Sequence, residues 1–136
     1  MPPEGPQESL VREWLAHAVR DLAAGGRLLA PPAFPAEAAF HAQQAIAKAL
    51  KGLLAWHNLP FARTHDLDAV LEQCASLVPE VLAFRHAVAP LTRYGVETRY
   101  PGAEPMPSEE EAQAALELAH TVVAFVRDHL PPAAWP

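Results

Sequence analysis

Apolar residues recur every three or four positions along most of this chain, and no stretch shows the strict alternation of a half-buried strand. Leu10/Val11, Trp14/Leu15, Ala18, Leu22, Gly25 and Leu29 form the first stripe. It predicts a helix from about Glu8 to Ala30, roughly 30 Å long, with Trp14 in the core and Pro31-Pro32 as its stop. Gly25-Gly26 weaken its second half by up to about 1 kcal/mol each, unless they admit a close neighbour. A second helix opens near Pro35, whose fixed φ suits a first turn, and runs to about His57. Its apolar face is Ala39, Ala42, Ile46, Ala49/Leu50 and Leu53, and Asn58-Leu59-Pro60 closes it.

Thr64-His65-Asp66-Leu67 reads as the next helix start, with Thr64 or Asp66 able to cap. The third helix is expected over Leu67 to Leu77, with Leu67, Val70/Leu71, Cys74 and Leu77 inward and Cys74 as an apolar filler. Pro79 opens a fourth, with Val81/Leu82, Phe84, Val88 and Leu91 inward, a kink at Pro90 and an end at Tyr94-Gly95. Prolines and a glycine exclude helix between Pro101 and Pro107. Ser108-Glu109-Glu110-Glu111 then carries a capping-box signature, with three acids at the positive end of a helix dipole. That last helix, to about Leu130, is broadly apolar and is expected to be a central, well-buried member. Short connections between antiparallel neighbours predict an all-α, up-and-down bundle of four to five helices.

A length of 136 residues suits one domain, 1–136, with proline-rich ends at 1–7 and 131–136. Trp135 in that tail either packs back on the domain or reaches a partner. Hydrophobic residues at 51% and charged residues at 19% exclude disorder, and no run of eighteen apolar residues offers a membrane span. The N-terminal residues lack a secretory signal, and the single Cys74 can form neither an internal disulfide nor a thiolate metal cluster. The expectation is a cytoplasmic protein without a cofactor. No metal site is expected either, since His41, His57, His65 and His86 are scattered. The charge of −6 is uneven: residues 41–100 carry six basic against five acidic groups, whereas 101–136 carry Arg127 against six acids. That balance opposes nonspecific duplex binding and leaves room for a local site holding one nucleotide or a short single strand.

Three groups carry candidate chemistry. His41, Gln44, Lys48 and Lys51, spaced three, four and three, align in one polar row. The row either lines a groove for an anionic ligand or forms a solvated or dimer-facing stripe. His65-Asp66 is either an oriented general base or a helix cap. In Arg99-Tyr100-Pro101, Arg99 can clamp a phosphate while Tyr100 or Tyr94 stacks on a base. Alternatively, Arg99 caps helix carbonyls or pairs with an acid such as Asp66.

The segment from Ala38 to Leu54, containing Ala42-Gln43-Gln44-Ala45 and Lys48-Ala49-Leu50-Lys51, resembles the second-helix signature of HEPN domains. Thr64-His65-Asp66-Leu67 and Arg99-Tyr100-Pro101 fit the same family in the same order. The resemblance implies a helical bundle that dimerises face to face, often beside a minimal nucleotidyltransferase in toxin–antitoxin-like or stress systems. Some relatives are metal-independent ribonucleases that use an Arg and a His with four to six residues between them. Here the positions after Arg99 are Glu104, Pro105 and Met106, none of which can shuttle a proton as imidazole does. An Arg12…His17 pair has the spacing but lies in the first helix. Ala47 stands where relatives carry a Glu, so Lys48 lacks a helix-borne counterion. The expected function is a non-catalytic homodimeric module whose groove near Arg99, Tyr94, Lys48 and His65 holds a nucleotide, short RNA or a nucleotidyltransferase partner. The alternatives are a ribonuclease using Arg99 and His65, and a structural dimer that neutralises a partner.

Overall fold

A helix whose apolar face must be buried needs a partner, and the first two helices supply one another. The computed structural model describes residues 6–60, 66–95, 101 and 106–136. Helices α1 (Pro6–Leu28) and α2 (Pro35–Trp56) form an antiparallel hairpin. The Gln7 side-chain amide in the first turn of α1 donates to the carbonyls of Ala55, at 3.1 Å, and Trp56 in the last turn of α2. The two axes come close because Gly52 has no side chain: a Cβ there would collide with Leu15 and lie 3.3 Å from Trp14 Cβ. Helices α3 (Leu67–Ala75), α4 (Arg85–Val88) and α5 (Glu109–Asp128) complete an all-α bundle.

The central member is α2, not the last helix as its apolar composition suggests. Fourteen of the 22 residues of α2 are buried, against seven of the 20 in α5. Small side chains explain the reversal. Alanines on several sides of α2 let α1 and α5 pack closely, whereas Leu118 and Phe125 of α5 remain half-buried at its flanks. Gly25 serves the same end, since a Cβ there would meet Leu116 Cδ1 of α5 at 2.9 Å, while Gly26 faces nothing within 4 Å. Val11, Leu15, Ala18 and Leu22 form the buried stripe of α1, with Trp14 packed partly against it. Leu10 departs from the expected stripe and stays 47% exposed.

The expected fourth helix is broken into two 3₁₀ segments, Pro79–Phe84 and Ala89–Gly95, around the single turn α4. Pro90 has no N–H to continue an α ladder, so the chain tightens instead. The three-residue period of a 3₁₀ turn then selects which side chains face inward. Val78, Val81 and Phe84 point to the core, followed by Val88, Leu91 and Tyr94. Leu82, expected inward at α spacing, is 43% exposed. Phe84 meets Phe125 of α5 edge to face, at 5.2 Å between ring centroids.

Helix ends follow local chemistry. Asn58 adopts φ 57° after α2, and the N–H groups of Asn58 and Leu59 donate to the carbonyls of Ala55 and Leu54 at 3.0 and 2.9 Å. Asp66 caps α3 by accepting from the Asp68 N–H at 3.0 Å. Ser108 and Glu111 form the reciprocal capping box of α5, both bonds being 3.0 Å. The tail packs back: Ala134 is fully buried, Arg127 lies over the Trp135 ring at 5.5 Å, and Arg12 donates to the Ala133 carbonyl at 2.8 Å. Among the described residues no helix is long and apolar enough to cross a membrane.

Cys74 is buried, its thiol donating to the Leu50 carbonyl at 3.4 Å, and burial pushes its pKa up to about 12. Only thiolate is nucleophilic. Native protein at pH 8 is therefore expected to resist iodoacetamide, with labelling followed by mass spectrometry. Urea above the unfolding midpoint should release the thiol, and rapid labelling without urea would contradict its burial.

Candidate functional site

The polar row on α2 does not stand alone. It meets a matching row on α1, where Leu10, Trp14, His17 and Asp21 are spaced four, three and four. Because the helices run antiparallel, the acidic end of the α1 row reaches the α2 residues. Asp21 is the junction. Its Oδ1 accepts from His41 Nδ1 at 2.8 Å and its Oδ2 accepts from Lys48 Nζ at 2.7 Å. The Asp21 side chain is 10% exposed, against 29% for His41 and 25% for Lys48, so the cluster is shielded but reachable. Lys48 thus finds across the helix pair the counterion that Ala47 cannot provide.

A carboxylate accepts and does not donate, so the proton of a neutral His41 must sit on Nδ1, leaving Nε2 as an acceptor. His41 also lines a pocket of about 220 Å³ with Ala36, Glu37 and Phe40. Lys51 stands one turn beyond Lys48, its ammonium 5.8 Å from the centroid of the Trp14 ring. Partial burial, and then the charge of Lys48, hold its pKa below the ordinary lysine value. A second hollow, of about 360 Å³, opens between the helices and is lined by Leu10, Glu13, Trp14, His17 and Lys48.

The remaining sequence candidates separate. Gln44 donates its amide to Gln43 Oε1 at 2.7 Å. Gln43 is 1% exposed, and its Nε2 has no hydrogen-bond partner among the described residues. Gly95 makes room for that amide, since a Cβ there would lie 3.1 Å from it. Tyr94 corrects its expected role: it is 6% exposed, with the Arg93 guanidinium 5.3 Å from its ring centroid, and cannot offer a free face to a base. Burial, and then Glu111, raise its phenol pKa against the opposing pull of Arg93. Its side chain points inward because it closes the Val88, Leu91, Tyr94 face of the 3₁₀ segment. Asp66 caps α3. His65, Arg99 and Tyr100 lie outside the described residues.

Asp21 and Glu13 escape a sequence reading that takes α1 as a core stripe, and His17 enters it only through its spacing from Arg12. The signal is present in the spacing, but it needs the antiparallel pairing with α2 to become a site. Arg12, which shares a nuclease-like spacing with His17, is engaged by the tail carbonyl. Among the described residues, no group of three or more His, Cys, Asp or Glu could hold a metal ion.

A family model described as the HEPN domain matches residues 11–129. Among solved structures, the chain is similar to the crystal structure of TT1696 from Thermus thermophilus, with 34% sequence identity and a TM-score of 0.77. The match covers 88% of this chain and 98% of that one. Among curated proteins no match was found.

Proposed function

The chain belongs to the HEPN domain family, and from that membership we propose that it is a non-catalytic binding module for a nucleotide or short single-stranded RNA. The observation that carries this reading is the pair Lys48 and Lys51, placed one turn apart at the edge of the α1–α2 groove. Asp21 fixes the first, and partial burial, followed by the like charge of Lys48, lowers the pKa of the second. Two ammonium groups crowded in a half-buried groove repel one another, and a bound phosphate relieves that repulsion. Arg99, Tyr100 and His65 stay ligand candidates in this reading on the sequence alone, while Tyr94 is withdrawn. The missing imidazole after Arg99 favours recognition over cleavage. A homodimer associated with a minimal nucleotidyltransferase, in a toxin–antitoxin-like or stress setting, is the physiological context this reading implies.

Calorimetric titration with ATP and with short single-stranded RNA tests it. Lys48→Ala and Lys51→Ala are each expected to weaken binding by about tenfold, the value of one charge-assisted hydrogen bond. Raising the salt concentration should weaken it further. Absence of binding by either ligand at millimolar concentration, together with failure to capture a co-encoded nucleotidyltransferase, removes the reading.

A further inference from the structure

We infer that Lys51 is a site of reversible carbamate formation with carbon dioxide, selected over Lys48 by the charges that surround the two amines. The modification needs no bound ligand. Only its consequence for anion binding rests on the role given to α2 above.

The chain has two lysines, and α2 places them one turn apart on one face. Carbon dioxide reacts with a neutral amine, and the product is an anion. Two properties of the surroundings therefore decide which lysine reacts: how firmly they hold the proton, and how well they accept a negative charge. Lys48 is disfavoured on both counts. Its ammonium donates to Asp21 Oδ2 at 2.7 Å, and the Asp21 side chain is only 10% exposed. That carboxylate favours the protonated amine and repels a carbamate built on the same nitrogen.

Lys51 has the reverse setting. It is half-buried, with its nitrogen 5.8 Å from the centroid of the Trp14 ring. A ring face at that distance favours the ammonium only weakly. Partial burial, and then the charge of Lys48, outweigh it and lower the pKa of the amine. An ordinary lysine is only about 0.4% neutral at pH 8, so any lowering enlarges the reactive fraction in proportion. In the reaction the Nζ lone pair forms an N–C bond to carbon dioxide, one C–O π pair moves onto oxygen, and the nitrogen loses a proton to solvent. A positive group becomes a negative one, so the repulsion from Lys48 turns into attraction. Asp21 occupies one of the three N–H donors of Lys48, which leaves donors for a carbamate oxygen. Glu13 borders the hollow beside Trp14 and Lys48 and opposes an anion there, but the charge that bears on Lys51 is that of Lys48.

Carbon-13 NMR of the native protein in ¹³C-labelled bicarbonate at pH 8 reads the adduct in place. Trapping with triethyloxonium tetrafluoroborate, which ethylates the carbamate oxygen, locates it by mass spectrometry. Lys51 should be trapped at least about tenfold more than Lys48 in the native protein. In guanidinium chloride, where Asp21 and Trp14 no longer surround them, the two lysines should trap equally. Lys51→Arg should abolish the native signal. Lys48→Gln should lower it about threefold or more, because the amine regains its proton and the product loses its counter-charge. Lys48→Arg keeps that charge and should restore most of the signal, and guanidinium midpoints check that each variant is folded. Equal trapping in the native protein, a preference for Lys48, or no carbamate at all overturns the assignment, as does a Lys48→Gln signal equal to the parent's. Bicarbonate, against chloride at matched ionic strength, should also weaken ATP binding by about tenfold where Lys51 is modified. A carbamate on Lys51 with unchanged ATP affinity upholds the modification and removes Lys51 from the proposed anion site.

Discussion

Replacing Asp21 by alanine is expected to lower the free energy of unfolding by about 2–4 kcal/mol while strengthening anion binding. The two effects have one cause. Asp21 is nearly buried and accepts two charge-assisted bonds, from His41 at 2.8 Å and Lys48 at 2.7 Å. Its removal leaves a shielded ammonium without its counterion and an imidazole N–H without its acceptor. The same carboxylate competes with any phosphate that approaches Lys48, so its loss should raise affinity for ATP several-fold at low salt. Asp21→Asn keeps an acceptor of similar shape and should lose only about 1–2 kcal/mol. Urea denaturation reads the first effect, with an unchanged m-value confirming a shift in stability alone. Titration reads the second. An Asp21→Ala protein as stable as the parent would mean that water solvates the cluster freely, and weakened anion binding would mean that Asp21 positions Lys48 more than it opposes the ligand.

Ile46→Ala should destabilise the domain by about 2–5 kcal/mol, through lost burial and a cavity between packed helices. Ile46 is fully buried in the middle of α2, the helix on which both α1 and α5 pack. Against a total stability of about 5–15 kcal/mol for a domain of this kind, that loss is a large fraction. Ile46→Val removes one methyl and should cost about 0.5–1.5 kcal/mol. Leu10→Ala, at an exposed position of α1, should stay within about 0.5 kcal/mol of the parent. Similar losses for Ile46→Ala and Leu10→Ala would contradict the assignment of α2 as the centre of the core.

Much of the fold is legible in the sequence because its causes are local. Ser108 and Glu111 announce the start of α5 at a spacing of three, and the capping box is present. Asn58 announces the end of α2, because asparagine tolerates positive φ better than most residues, and it adopts 57° there. The region from Pro79 to Gly95 departs from expectation for an equally physical reason. Its apolar pattern fits periods of 3.6 and 3.0 almost equally over so few residues. Pro90 and the packing against α2 and α3 then select the tighter turn, which exposes Leu82 and buries Tyr94. That choice also removes Tyr94 from the candidate ligand surface.

The polar row on α2 is visible in advance because His41, Gln44, Lys48 and Lys51 lie on one helix, where spacing alone determines what shares a face. Asp21 is not visible as their partner. It lies 20 residues before His41 and 27 before Lys48. Only the antiparallel pairing of α1 with α2, brought close at Gly52, places its carboxylate between them. From the chain's own order come the helices, most of their caps and the α2 row, since each depends on residues a few positions apart. Three-dimensional packing decides which helix is central, which apolar residues remain exposed and where Lys48 finds its counterion. Those outcomes depend on surfaces from distant segments meeting, a condition that local spacing does not encode.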